Sequence, residues 1–205
     1  WLFPTNNIRQ IVLHHTQGST ADGAIEWWGL TPDKVGTNFV IDKDGTVINT
    51  IPVDSWAYTL GMSSISNNIP SVYKTTKYAR NIEQMGISIE LVSEGELVDM
   101  SLDKYLFEDG GRFIDKDKVT KLDKPHRGYT CYASYTTEQI KALKELLKQL
   151  SSDHSIPISG EHKIFDINYK AKKKKKGIYS HVCYRSQDKT DLFPQPELIT
   201  MLNNL

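Results

Sequence analysis

Apolar and polar positions alternate along this chain in two periods. IRQIVLHHT, residues 8–16, is a short apolar run that ends in polar residues, the pattern of a buried strand. MGISIELV, residues 85–92, alternates cleanly: Ile87, Ile89 and Leu91 face one way, and Ser88, Glu90 and Val92 the other. TNFVIDKDGTVINTI, residues 37–51, reads as a hairpin whose two β-rich runs flank Asp44-Gly45, a dipeptide that accepts the positive φ of a tight turn. GIYSHVCY, residues 177–184, predicts a further strand.

Helical periods lie between these runs. TADGAIEWW, residues 20–28, starts on a Thr or Asp cap. Residues 136–150 carry the clearest helix, with capping-box spacing at Thr136 and Gln139 and a buried stripe of Ile140, Leu143, Leu147 and Leu150. PELITMLNNL closes the sequence as a helix with Pro196 in its first turn. Strands interleave with helices, so the expected class is α/β, a mixed central β-sheet flanked by helices. One domain is expected over residues 1–205, because no Pro/Gly/Ser-rich linker divides the chain. Residues 93–135, rich in Asp, Lys and Gly, read as a loop-rich elaboration with at most a small hairpin. Residues 157–169 fit neither period.

Composition changes this picture little, and charge changes it more. The 205 residues hold 39% hydrophobic positions, ordinary for a globular chain. Basic and acidic residues number 25 each, but six of the basic ones lie between Lys170 and Lys176. Without them the rest carries 19 basic against 25 acidic residues, a net −6, which argues against a nucleic-acid partner. The run KAKKKKKG reads as a solvated loop, residues 170–177, because adjacent ammonium groups repel. No apolar stretch reaches 18 residues, so no membrane span is expected. The sequence opens WLFPTNN without Met or a visible signal peptide. Cys131 and Cys183 make no disulfide framework and are either two thiols or one bridge.

The candidate chemistry sits at the ends of predicted strands. His14 and His181 each end an apolar strand, and Asp191 follows in a loop before the last helix. Two strand ends and a loop can meet at one rim of a sheet, and zinc takes three such protein ligands when its fourth position serves catalysis. A lone His at a strand end is more often a hydrogen-bonded surface residue, so the signal is the combination. His15 should point to the opposite face of the strand from His14. His162 competes with His181, but it lies 29 residues before Asp191, whereas His181 lies ten before. Cys183 shares the strand parity of His181 and is a weaker thiolate candidate. Trp27, Trp28 and Trp56 read as core more than as sugar platforms, with Trp56 near the suspected cleft.

Six segments in order, IVLHHT, GTNFVIDKDGTV, WAYTLG, GISIELV, YTTEQIKALKELL and GIYSHVCYRSQDKTDLFP, resemble the type 2 family of zinc-dependent N-acetylmuramoyl-L-alanine amidases, which includes the peptidoglycan recognition proteins. The resemblance spans roughly residues 8–194. It implies zinc ligands at His14, His181 and Asp191, catalytic roles for Glu90 and Lys189, and substrate contacts at Asn38, Trp56 and Thr59. It also implies a peptidoglycan substrate and a cell-wall, periplasmic, secreted or phage-delivered setting. Thr37 and Asn38 stand where many relatives have Tyr-His, Thr59 where a His is usual, and Leu192 where a Pro is usual. A non-catalytic peptidoglycan-binding module of the same fold is the alternative.

Overall fold

In the computed structural model, the described residues are 3–4, 7–61, 82–108, 110–159, 163–185 and 188–205. The competing ligand His162 lies outside them.

The strands are β1 (Phe3–Pro4), β2 (Gln10–His15), β3 (Phe39–Ile41), β4 (Val47–Asn49), β5 (Ser55–Trp56) and β6 (Gly86–Leu91). They continue as β7 (Glu96–Asp99), β8 (Tyr105–Phe107), β9 (Arg112–Ile114), β10 (Val119–His126), β11 (Tyr129–Ala133) and β12 (Gly177–Ser180). The helices are α1 (Ala21–Leu30), α2 (Thr137–His154), α3 (Tyr169–Lys172) and α4 (Pro196–Asn203).

The central sheet runs β12-β2-β6-β3-β4. Its first four strands are parallel, and β4 returns antiparallel through the hairpin. Gly45 takes φ 87° in that turn, which only glycine adopts without strain. This is the mixed α/β class that the alternation of periods predicts. Ile11, Leu13, Ile87, Ile89 and Leu91 are fully buried and share a core with α2 and α4. Each such side chain withdrawn from water contributes about 1.5–3 kcal/mol. The second face is thinner: Val40 and Val92 pack there against Ala21 of α1.

Helix α2 forms for the reasons its sequence gives. Thr136 Oγ1 accepts from Gln139 N–H, and the Gln139 side chain accepts from Thr136 N–H, a complete capping box. The buried stripe is Ile140, Leu143, Leu147 and Leu150, as the period requires. At the far end, Lys176 Nζ donates to the carbonyls of His154 and Ser155 at 3.2 and 2.9 Å, satisfying acceptors left over by the helix.

Three expectations need correction. Residues 93–135 are not a loop-rich region: among the described residues they form a five-stranded antiparallel sheet, β10-β11-β7-β8-β9. Its strands are mostly three to five residues long, and β9 and β10 are largely exposed, so charged residues obscure the alternation. The strand over residues 177–184 stops at Ser180, and residues 181–183 turn as a 3₁₀ helix. The lysine run is more than a solvated loop. Asn168 caps α3, within which Ala171 and Lys172 are buried, and the backbone carbonyls of Ala171, Lys174 and Lys175 accept from Gln10 and Arg9. The run is tied to the start of β2, the strand that carries His14.

Candidate metal centre and cleft

Register sets the site. His14 on β2 lies beside Glu90 on β6, and Glu90 lies beside Val40 on β3, all near the carboxyl ends of parallel strands. Ligands of open α/β sheets gather outside those ends. Side-chain alternation turns His14 and Glu90 toward the α1 face, with Val12 and Val40, and turns His15 toward the α2 face, with Leu13. His181 arrives from β12, the neighbour of β2, just as that strand breaks into its 3₁₀ turn. The break aims His181 and Asp191 at one point, and Val182 N–H donates to the Asp191 carbonyl at 3.1 Å to hold the two segments together.

Three buried donor atoms meet there. His14 Nδ1 lies 3.1 Å from His181 Nδ1 and 3.2 Å from Asp191 Oδ2, and His181 Nδ1 lies 3.1 Å from Asp191 Oδ2. A tetrahedral zinc with bonds of about 2.0–2.1 Å has ligand–ligand edges of about 3.3–3.4 Å, close to this triangle. The protonation pattern fits as well. His181 Nε2 lies 3.1 Å from the Leu60 carbonyl, which can only accept, so the proton resides on Nε2. The Nδ1 lone pair then faces the triangle, the usual arrangement of a metal-bound histidine. Burial pulls the pKa of His14 from 6.5 to about 4, against the opposing hydrogen bond to Asp191, and so keeps the imidazole neutral. Burial alone would raise the Asp191 carboxyl, but His181 and His14 outweigh it and hold the group well below the usual range. Neutral imidazoles and an ionised carboxylate are the forms that bind a cation.

The triangle opens into a cleft of about 730 Å³, lined also by Thr59, Glu90, Arg185 and Lys189. Glu90 Oε2 is buried and without a hydrogen-bond partner among the described residues. Burial, reinforced by the charge of Asp191, raises the Glu90 carboxyl well above its usual value, while Lys189 pulls the other way. A buried carboxyl with its proton affinity raised in this way, at the edge of a cleft, is a candidate proton carrier.

The other expected residues divide. Thr59 lines the cleft, and its Oγ1 lies 3.1 Å from Glu83 Oε2 and from Ser88 Oγ. Asn38 is not a cleft residue. Its Nδ2 donates to the carbonyls of Ile51, Pro52 and Ser55, and its Oδ1 accepts from Ser88 N–H, so the whole amide bonds backbone. Trp56 is buried against Tyr58, edge to face at 5.2 Å, and does not line the cleft. Trp27, read as core, is 56% exposed and forms part of the cleft wall. Cys183 points away from the triangle: past the strand end its parity no longer follows His181, and its Sγ lies 3.5 Å from the Ile164 carbonyl. Both cysteines are free and buried. His15 Nδ1 lies 3.0 Å from the Tyr135 hydroxyl.

Arg185 has no signal in the sequence beyond its nearness to His181. Its Nη1 donates to the carbonyls of Leu60 and Gly61 at 3.1 and 3.3 Å, and its Nε donates to Asp188 at 3.1 Å. Glu83 supports the same loop, accepting from Thr59 N–H and Leu60 N–H. The Leu60 carbonyl that orients His181 is thus fixed from two sides.

Comparison with known proteins bears on the fold and the family. Among solved structures, the chain resembles the amidase AmiD from E. coli, solved with anhydro-N-acetylmuramic acid-L-Ala-D-gamma-Glu-L-Lys: TM-score 0.54, 16% identity, 96% of this chain and 58% of that one. AmpDh3 from Pseudomonas aeruginosa, solved with anhydromuramic pentapeptide, matches at TM-score 0.52 and 16% identity, over 96% of this chain and 60% of that one. AmpD matches at TM-score 0.50 and 15% identity, over 96% and 85%. The chain therefore spans about three fifths of the length of the first two. At these identities the likeness establishes the fold. No curated protein matches the sequence. Residues 4–192 match the N-acetylmuramoyl-L-alanine amidase (Amidase_2) family, and the chain belongs to that family.

Proposed function

We propose that the chain hydrolyses the amide joining N-acetylmuramic acid to L-alanine in peptidoglycan, with zinc held by His14, His181 and Asp191. The observation that carries this reading is the triangle of donor atoms, 3.1–3.2 Å on each edge, at the floor of a cleft that also holds Glu90 and Lys189. Family membership supports the reaction class. A zinc ion bound there supplies Lewis acidity, polarising the scissile carbonyl and acidifying water.

The chain's own groups do the rest. Glu90 takes the proton of the attacking water and passes it to the leaving amine. Its buried Oε2 has no partner among the described residues to compete for that proton. Lys189 sets a positive charge beside the oxygen that gains negative charge. His181 is held in register by Leu60, Arg185 and the Glu83 network, so the triangle keeps its shape as substrate enters. The substrate dictates the setting: the enzyme works where peptidoglycan is, in lysis or remodelling of the wall.

The test is chelation followed by reconstitution. The purified protein should release stem peptide from isolated cell wall, lose that activity to a chelator, and regain it with one equivalent of zinc. Binding to peptidoglycan with no release of peptide under any metal would instead identify a recognition module.

A further inference from the structure

We propose that a second pocket beside the cleft is a carboxylate site, taking the free carboxylate at the far end of the stem peptide. The proposal rests on the amidase reading above. The pocket has a volume of about 370 Å³ and shares Ser19 and Thr20 with the cleft of His14. Lys43 and Arg112 line it and converge on one buried carboxylate. Lys43 Nζ lies 2.8 Å from each oxygen of Glu94, and Arg112 Nη2 donates to Glu94 Oε1.

The charge count favours an anion. Two cations on one carboxylate leave one positive charge in excess. Among the described residues, the remaining charged pair in the pocket, Lys118 and Asp115, is joined at 2.7 Å. The Arg112 side chain is 43% exposed, and a guanidinium carries five N–H donors, of which one is used by Glu94 among the described residues. Its fork matches the plane of a carboxylate. Thr20 caps α1 at the boundary of the two pockets, so the positive end of that helix adds to the same field.

Reach also fits. Glu94 follows Glu90 by four residues, so their backbones are at most about 14 Å apart. An extended peptide covers about 3.3 Å per residue, so a stem of three to five residues bridges the scissile amide and this pocket. Arg112 comes from β9, within the antiparallel sheet of residues 93–135, the part that lies outside the family motifs in the sequence.

The experiment compares two synthetic muramoyl tetrapeptides, one ending in a free carboxylate and one in an amide. Wild type, Arg112→Gln and Arg112→Lys are measured on both. On the free acid, Arg112→Gln should raise KM about tenfold with kcat unchanged, and Arg112→Lys should recover part of the loss. On the amide, wild type and Arg112→Gln should share one KM. Equal losses on both substrates, or no loss on either, overturn the proposal. If wild type cleaves neither peptide, the amidase reading fails, and calorimetric binding of the same two peptides decides the pocket separately. A preference for the free acid that Arg112→Gln abolishes supports it; equal affinities overturn it.

Discussion

At the scale of residues, burial sets protonation in the cleft. Glu90 is the proton carrier in the proposed reaction, so Glu90→Gln, nearly the same in shape, should leave zinc bound and cut turnover at least 100-fold. Metal analysis alongside kinetics checks both halves, and near-normal turnover would remove Glu90 from the chemistry. His14 makes a prediction for the metal-free protein. Its folded pKa, about 4, lies below the value of 6.5 expected when unfolded. Stability from this group is therefore full above about pH 6.5 and is lost as pH falls toward 4. The shift corresponds to about 3 kcal/mol. Urea unfolding of metal-free wild type should weaken across that window, and His14→Gln should show a flatter dependence. Legibility at this scale was uneven. His14, His181 and Asp191 could be found because their neighbours in sequence carry family motifs. Asn38 and Trp56 occupy expected motif positions, yet their side chains turn to backbone and core, which only the packing reveals. Arg185 and Glu83 act through the backbone of Leu60, its carbonyl and its N–H, and backbone groups leave no mark on sequence.

At the scale of elements, strong periods were legible and short ones were not. Helix α2 follows its cap and stripe, and the β3–β4 hairpin follows its Asp-Gly turn. Leu147 is wholly buried in that stripe, so Leu147→Ala should cost about 2–5 kcal/mol in chemical denaturation, with the cleft residues unchanged. A cost under 1 kcal/mol would mean that α2 does not hold the sheet face as described. The antiparallel sheet of residues 93–135 escaped because four of its five strands are too brief to show alternation and the longer one, β10, is rich in charge. The strand break at Ser180 escaped for a different reason: residues 181–184 are apolar enough to extend the run, and the turn is imposed by contacts with Asp191.

At the scale of the whole molecule, distant parts of the chain converge on one point. His14 stands 177 residues from Asp191, and the parallel pairing of β12, β2 and β6 is what brings their neighbourhoods together. The anchoring of the lysine run to Arg9 and Gln10 ties the two outer segments of that arrangement. Among the described residues no helix is long and apolar enough to cross a membrane. The most direct test of the central claim is zinc stoichiometry, measured by elemental analysis after dialysis, on wild type and on His14→Ala, His181→Ala and Asp191→Ala. Wild type should carry one zinc per chain, and each variant should lose both the ion and amidase activity. Variants that keep a full equivalent of zinc, or a wild type that binds none, would contradict it.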